Sequence, residues 1–272
     1  MHYLSRREEF SAAHFYHVPE WSEEKNESAF GKCHRQNGHG HDYQLEVMVR
    51  GNFNRKTGIV VNTTDIKHIV NTFIAKELDG KFLNKELPFF KRNLPTTENL
   101  VNYIWNALHD KFEGCELYRL RLNENHYLSA ERKLNGMTYL TRKYHFCAAH
   151  RLHSIHLSDE ENKRIFGKCN NPHGHGHNYY VDVQVHGEPH HQTGMIIDLA
   201  QLDEIVEKVI LDKFDHKHLN LDTEEFAELN PTSEAVAMVI YELLAPHIPQ
   251  LYKIGLWETE KNYFEYFGER EK

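Results

Sequence analysis

The sequence repeats itself. The stretch FGKCHRQNGHGHDY, from Phe30 to Tyr43, returns as FGKCNNPHGHGHNYY, from Phe166 to Tyr180. Cys169 stands against Cys33, His175 against His39 and His177 against His41, each 136 residues further on. FSAAH ending at His14 returns as FCAAH ending at His150, Thr57-Gly58 as Thr193-Gly194, Asp79 as Asp215, and Pro95-Thr96-Thr97-Glu98 as Pro231-Thr232-Ser233-Glu234. Near the end the offset falls to 134, where Leu117-Tyr118 returns as Leu251-Tyr252 and Glu124 as Glu258. A repeat of this length constrains the fold more than any local pattern does, because whatever one copy forms the other must form too. The 272 residues divide into repeats of about 1–134 and 138–272, joined by a short linker around Asn135-Gly136.

Each repeat carries the same succession of elements. In the first, a strand from His2 delivers His14, and a polar insert (Val18 to Ser28) leads to the Cys33/His39/His41 loop and a strand through Leu45 to Val49. Asn62 caps a helix that presents Ile66, Ile69, Val70, Phe73 and Ile74 at helical spacing and ends at Asp79-Gly80. A second helix starts near Thr96-Thr97-Glu98, and a hairpin spans about Leu117 to Ala130. The second repeat follows suit. Tyr139 to Ala148 is a strand, a helix capped by Asp198 with Gln201 ends at Asp215-His216, another helix starts at Thr232-Ser233-Glu234, and a hairpin runs from about Leu251 to Phe267. The expected class is α+β, each repeat an antiparallel sheet of four strands with two helices on one face. Its sheet edges would be removed by closure into a larger barrel on assembly.

Composition excludes several function classes. A net charge of −8 argues against non-specific nucleic-acid binding. No apolar run reaches the length of a membrane span, and MHYLSRREEF has no signal-peptide core. Of the four cysteines only Cys33 and Cys169 are repeat-equivalent, which is no disulfide framework, so a reducing cytoplasm is the expected location.

The chemistry-bearing residues recur with the repeat. His175 and His177 are two apart at the start of a strand and so share a face, as do His39 and His41. The most economical third ligands are His150 and His14, each after an Ala-Ala pair at a strand end. Three neutral imidazoles with a fourth position open is the arrangement of a catalytic zinc site. Cys169 is a thiol that needs a base, and Asp215-His216 is a carboxylate–imidazole pair that can supply one. On its own, a histidine at a helix C-terminus such as His216 is more often a dipole-stabilising cap. The first repeat keeps Asp79 but has Gly80 in the histidine's place, so the repeats are not equivalent. Glu258 and Glu124 lie in the last hairpins, where a carboxylate can receive an amino-N–H edge or face solvent. Glu234 and Glu98 open a helix, where an acid is stabilising in itself.

Taken together, HFCAAHRLHS, FGKCNNPHGHGHNY, GEPHHQTGMIIDL, FDHKHLNLD and LWETEKNYF make the second repeat resemble the 6-pyruvoyltetrahydropterin synthase family, of the tunnelling fold, from about Tyr139 to Gly268. The resemblance implies zinc on His150, His175 and His177, and a proton-transfer set of Cys169, Asp215 and His216 with the Asp-His pair supplied across a subunit interface. It implies pterin anchoring by Glu258 and by Thr232, Ser233 and Glu234. The implied reaction converts 7,8-dihydroneopterin triphosphate into 6-pyruvoyltetrahydropterin. The first repeat shows the same pattern, with zinc ligands His14, His39 and His41 complete and a degenerate set of Cys33, Asp79, Glu124 and Glu98. Its catalysis is in doubt, and a zinc- and pterin-binding role without turnover is the alternative. A sister group that makes 6-carboxytetrahydropterin from the same substrate has a shorter gap between cysteine and HGH; five residues separate Cys169 from His175 here. A folate-type relative would carry a glutamate near the cysteine, and none stands between Cys169 and His175. The implied assembly is a trimer of tandem chains, a pseudo-hexamer. Lys163, Arg164 and Lys168 are candidates for the triphosphate.

Overall fold

The computed structural model describes residues 1–269; residues 270–272, the end of the second repeat, lie outside the described residues. The chain forms two compact units, one of Met1–Thr141 with His186–Ala200 and one of Arg142–Val185 with the chain from Gln201 onward. These units do not follow the sequence repeats, because residues 138–141 and His186–Ala200 of the second repeat belong to the first unit.

In the first unit β1 (His2–His14) pairs antiparallel with β2 (His39–Gly51) along its whole length, from His2 opposite Gly51 to His14 opposite His39. A two-residue strand, β3 (Lys81–Phe82), adds in parallel at Ala12 and Ala13. β4 (Glu116–Asn125) pairs with β2, and β5 (Leu128–Lys133) with β4, giving the order β5-β4-β2-β1-β3. Alternation sets the core. Tyr43, Leu45, Val47 and Val49 of β2 are fully buried, as period-two geometry requires of one face. On β4 the buried set passes from Leu117 to Leu120 and Leu122, a change of parity produced by the bulge opposite Met48/Val49. The helix Thr63–Glu77 packs on β1 through Ile66, Val70 and Ile74, and the helix Thr97–Leu108 packs on β4 and β5. Asn62 and Thr96 cap these helices, accepting from Thr64 N and Asn99 N.

Within the polar insert, Glu23–Phe30 is a helix capped by Ser22, and the buried Asn26 side chain ties it to Val18 through both the N–H and the C=O. The hairpin expected to end at Ala130 continues to Lys133, and the linker is a tight turn. There Gly136 N donates to Lys133 O and Asn135 Oδ1 accepts from Met137 N, with Gly136 at φ +84°.

The second repeat follows the same plan with β6 (Thr138–His150), β7 (His175–Gly187), β8 (Lys217–His218), β9 (Leu251–Thr259) and β10 (Asn262–Tyr266). Its order is β10-β9-β7-β6, with β8 parallel to β6 at Ala148 and Ala149. The helix Asp159–Phe166 opens with a capping box between Ser158 and Glu161. From Leu199 to Phe214 the chain is helical with one π turn at Glu207–Leu211, and the helix Ser233–Leu244 packs on β9 and β10. Each repeat therefore has the expected four antiparallel strands and two principal helices, plus a short parallel strand and shorter helices. Among the described residues no helix is long and apolar enough to cross a membrane.

Candidate metal centres and the residues around them

The antiparallel pairing that places His14 opposite His39 also creates the first histidine cluster, because His41 is two residues along the same face. The ligand atoms of His14, His39 and His41 all lie within 4.8 Å of one another, as do those of His150, His175 and His177. Nε2 of His14 is 3.2 Å from Nε2 of His39, and the same atoms of His150 and His175 are also 3.2 Å apart. The strand-end histidines are oriented from behind. His14 Nδ1 donates to Pro95 O at 3.0 Å and His150 Nδ1 to Pro231 O at 2.8 Å, which leaves each Nε2 lone pair directed at the cluster. Burial, with the neighbouring imidazoles adding to it, lowers the pKa of His14 to about 3; burial lowers that of His150 to about 4. Both rings are therefore neutral at pH 7, the form that binds metal. His41 Nε2 and His177 Nε2 are buried without a hydrogen-bond partner. Three convergent imidazole nitrogens, one of them orphaned in each cluster, fit a zinc ion with an open fourth position.

The hairpin glutamates sit beside these clusters and not in solvent. Glu124 is 5 % exposed, accepts from Thr97 Oγ1 at 2.6 Å, and lies 3.4 Å from His41 Nε2 without hydrogen-bond geometry. Glu258 accepts from Ser233 Oγ at 2.8 Å and stands 3.9 Å from His177 Nε2 and 4.0 Å from His150 Nε2. Sequence reasoning missed Tyr43 and Tyr179, whose hydroxyls lie 3.3 Å and 3.4 Å from the Nδ1 atoms of His14 and His150. The signal was present: each tyrosine is two residues beyond the second histidine of its HGH and so on the same strand face.

The two thiols occupy equivalent short helical turns, Gly31–His34 and Gly167–Asn170, and both are half-buried. Cys33 O accepts from Tyr16 N and Cys169 O from Leu152 N. Asp215 and His216 form a pair, with His216 Nδ1 donating to Asp215 Oδ2 at 2.9 Å. The Cys147 N–H, donating to Asp215 Oδ1 at 2.8 Å, holds the aspartate carboxyl below its ordinary value, and His216 adds to it. His216 has φ +58° and an 81 % exposed side chain. It lines a groove of about 520 Å³ with Cys147, His177, Asn178 and His218; Cys169 is not among the lining residues. In the first repeat Asp79 Oδ1 accepts from Ser11 N in the same way, and Gly80 holds the left-handed position at φ +70° with no imidazole.

The helix-opening motifs differ most between repeats. Thr96, Thr97 and Glu98 are buried, with Glu98 Oε1 accepting from Ile196 N at 3.1 Å and Thr96 Oγ1 donating to Gly194 O at 2.7 Å. Burial pushes the Glu98 carboxyl up to about 7. Thr232 caps its helix by accepting from Ala235 N, Ser233 is buried, and Glu234 is exposed. Lys163, Arg164 and Lys168 are exposed.

The profile of the 6-pyruvoyl tetrahydropterin synthase family matches the chain twice, over residues 3–134 and 139–269. The 6-pyruvoyl tetrahydrobiopterin synthase of Homo sapiens is 48 % identical over 132 residues, which are 48 % of this chain and 91 % of that protein. That of Poecilia reticulata is 47 % identical over 133 residues, 48 % of this chain and 90 % of its own length. The solved structure of Caenorhabditis elegans 6-pyruvoyl tetrahydropterin synthase is 46 % identical, with a TM-score of 0.48, covering 49 % of this chain and 96 % of its own. Each relative thus corresponds to one repeat, and with the profile matched along nearly the whole sequence the chain belongs to the 6-pyruvoyl tetrahydropterin synthase family, as a tandem duplication.

Proposed function

We propose that the chain is a zinc-dependent carbon–oxygen lyase acting on a phosphate ester. It would convert 7,8-dihydroneopterin triphosphate into 6-pyruvoyltetrahydropterin with loss of triphosphate, in tetrahydrobiopterin-type biosynthesis. The second repeat carries the chemistry. The observation that carries this reading is the position of Glu258, fixed by Ser233 and within about 4 Å of His177 and His150. A carboxylate fixed there can receive the amino-N–H edge of a pterin. The printed names of the relatives support the substrate class.

His150, His175 and His177 would hold the zinc, which when bound supplies Lewis acidity toward the side-chain hydroxyls. Cys169 takes and returns side-chain protons as general base and acid. Asp215, kept ionised by the Cys147 N–H, orients His216 toward the thiol of a second copy. The reaction breaks one C–O bond to triphosphate, and proton shifts carry the remaining two-electron changes from side chain to ring, so no outside oxidant enters. Thr232, Ser233 and Glu234 position the pterin. The first repeat, lacking a histidine at Gly80, holds zinc and pterin without turnover. Assembly is a homo-oligomer, a trimer of tandem chains closing the sheets into barrels, in the cytoplasm.

The test is a product assay on the zinc-loaded chain given 7,8-dihydroneopterin triphosphate, with the released pterin identified by mass beside Cys169→Ala. A pyruvoyl product lost in Cys169→Ala is expected. A carboxy product would move the chain to the sister reaction, against which the five-residue gap between Cys169 and His175 speaks. A variant that stays active would place the chemistry at Cys33.

A further inference from the structure

The first unit is not made from the first repeat alone, because His186–Ala200 belongs to it. Within that segment Thr193 to Ile197 forms a plug. Gly194 O accepts from Thr96 Oγ1, and Ile196 N donates to Glu98. Met195, 7 % exposed, is buried with Tyr16, Val18, Phe30 and Leu94, and Cys33 packs against the same cluster. The fit is close: a Cβ on Gly194 would fall 2.4 Å from Asn99 Nδ2 and 3.0 Å from Thr96 Oγ1. The walls around the first thiol are therefore finished by residues 136 positions away from the ones that the repeat would assign.

The duplication encodes both sides of this contact a second time. The plug recurs as Thr57 to Val61 and its seat as Thr232 to Glu234. Both are open in the chain. Ile59, the counterpart of Met195, is 46 % exposed, and a Cβ on Gly58 meets nothing within 4 Å. Glu234 is exposed where Glu98 is buried, and Leu152 and Phe166 are half-buried where Tyr16 and Phe30 are buried. Charge points the same way. A cavity of about 630 Å³ that shares Val18 and Leu94 with this cluster carries Lys91 and Arg92, with Glu20, together with His191 and Gln192 just before the plug. In the second repeat Ala227 and Glu228 replace the lysine and arginine, while the free plug brings Arg55 and Lys56 in place of His191 and Gln192. The cations missing from the second seat are on the unused plug.

We propose that the Arg55–Val61 segment of one chain docks on Thr232–Glu234 of a second copy, so that the Cys169 site is completed only between chains while the Cys33 site is completed within one. Thr232 Oγ1 then donates to Gly58 O, Val60 N donates to Glu234, and Ile59 is buried beside Leu152 and Phe166. The proposal deepens the assembly part of the reading above and rests on it.

Ile59 and Asn230 are the counterparts of Met195 and Leu94, which share one cluster. The full chain carrying Ile59→Cys with Asn230→Cys is mixed from ¹⁵N-labelled and unlabelled preparations and oxidised. The disulfide-linked peptides are identified by mass, and each single variant serves as control. A 59–230 link joining labelled to unlabelled chains, in the double variant only, is expected. An assembly that forms in sedimentation without that link overturns this contact and leaves the assembly reading standing. A chain that stays monomeric at all concentrations overturns both. Independently, Ile59→Asp is expected to weaken self-association at least tenfold while the first unit unfolds as in the parent. Unchanged association overturns the proposal.

Discussion

Glu98 gives the most quantitative test of how the first unit is built. Its carboxyl is buried against the Thr193–Ile197 plug, and burial pushes it up to about 7 against an ordinary 4.5. Hydrogen bonds from its own N–H, from Ile196 N and from Thr96 oppose this, and desolvation outweighs them. A carboxyl raised in the folded state contributes stability that is fully present below the unfolded value and is lost as pH rises through the folded one. Below pH 4.5 both states are protonated and no penalty applies. From there to about pH 7 only the unfolded chain ionises, and stability falls by about 1.4 kcal/mol per pH unit, about 3 kcal/mol in all, before levelling. Glu98→Gln keeps an oxygen for the Ile196 N–H and cannot ionise. In metal-depleted protein with Trp257→Phe, urea unfolding followed by the fluorescence of Trp21 and Trp105 reports on the first unit. Between pH 4.5 and 8 the parent should lose about 3 kcal/mol relative to Glu98→Gln. Parallel pH curves for the two proteins would refute the argument, because Glu98 would then ionise alike folded and unfolded.

Three further outcomes follow from the same geometry. Gly194→Ala and Gly58→Ala both place a side chain at positive φ, but only the first drives a Cβ into Asn99 and Thr96. Gly194→Ala should therefore destabilise the first unit by about 1–3 kcal/mol more than Gly58→Ala, and equal losses in urea unfolding would contradict the packing. Metal analysis should find two zinc ions per chain, falling to one in either His39→Ala or His175→Ala; unchanged zinc in either variant would rule out its cluster as a site. Gly80→His has open space for its Cβ and should fold at a cost of about 1 kcal/mol. Placed in a Cys169→Ala chain, it should give measurable turnover; if none appears, the missing histidine does not account for the proposed lack of turnover in the first repeat.

The fold was legible where one physical rule acted alone. Period-two burial at Tyr43, Leu45, Val47 and Val49, the caps at Asn62 and Thr96, and the pairing of HGH with the AAH strand end all follow from local geometry. The helix Glu23–Phe30 was not assigned from the sequence because its composition is polar and its fixation is a single buried side chain, Asn26, bonded to the backbone of Val18. The Ser158/Glu161 capping box of its counterpart was a usable signal. Glu124 was assigned through the resemblance and not through its local pattern, since an acid on a hairpin strand is ordinary on a solvated face. Only the strand order β5-β4-β2-β1 turns it inward beside His41. The plug was illegible for a different reason: an internal repeat says which residues are equivalent, and nothing about which copy they touch.

That ambiguity is also what lets the two sites diverge. Asp79-Gly80 and Asp215-His216 share one backbone conformation, set by the aspartate accepting a strand N–H and by a left-handed residue after it. Glycine meets that demand without strain, whereas histidine at φ +58° is held there against its intrinsic preference. A strained, exposed imidazole kept in one repeat and absent from the other is what selection on a single competent site would leave. The open seat at Thr232–Glu234 belongs to the repeat that retains the histidine, so the proposed chemistry and the proposed docking of a second chain fall on the same half of the molecule.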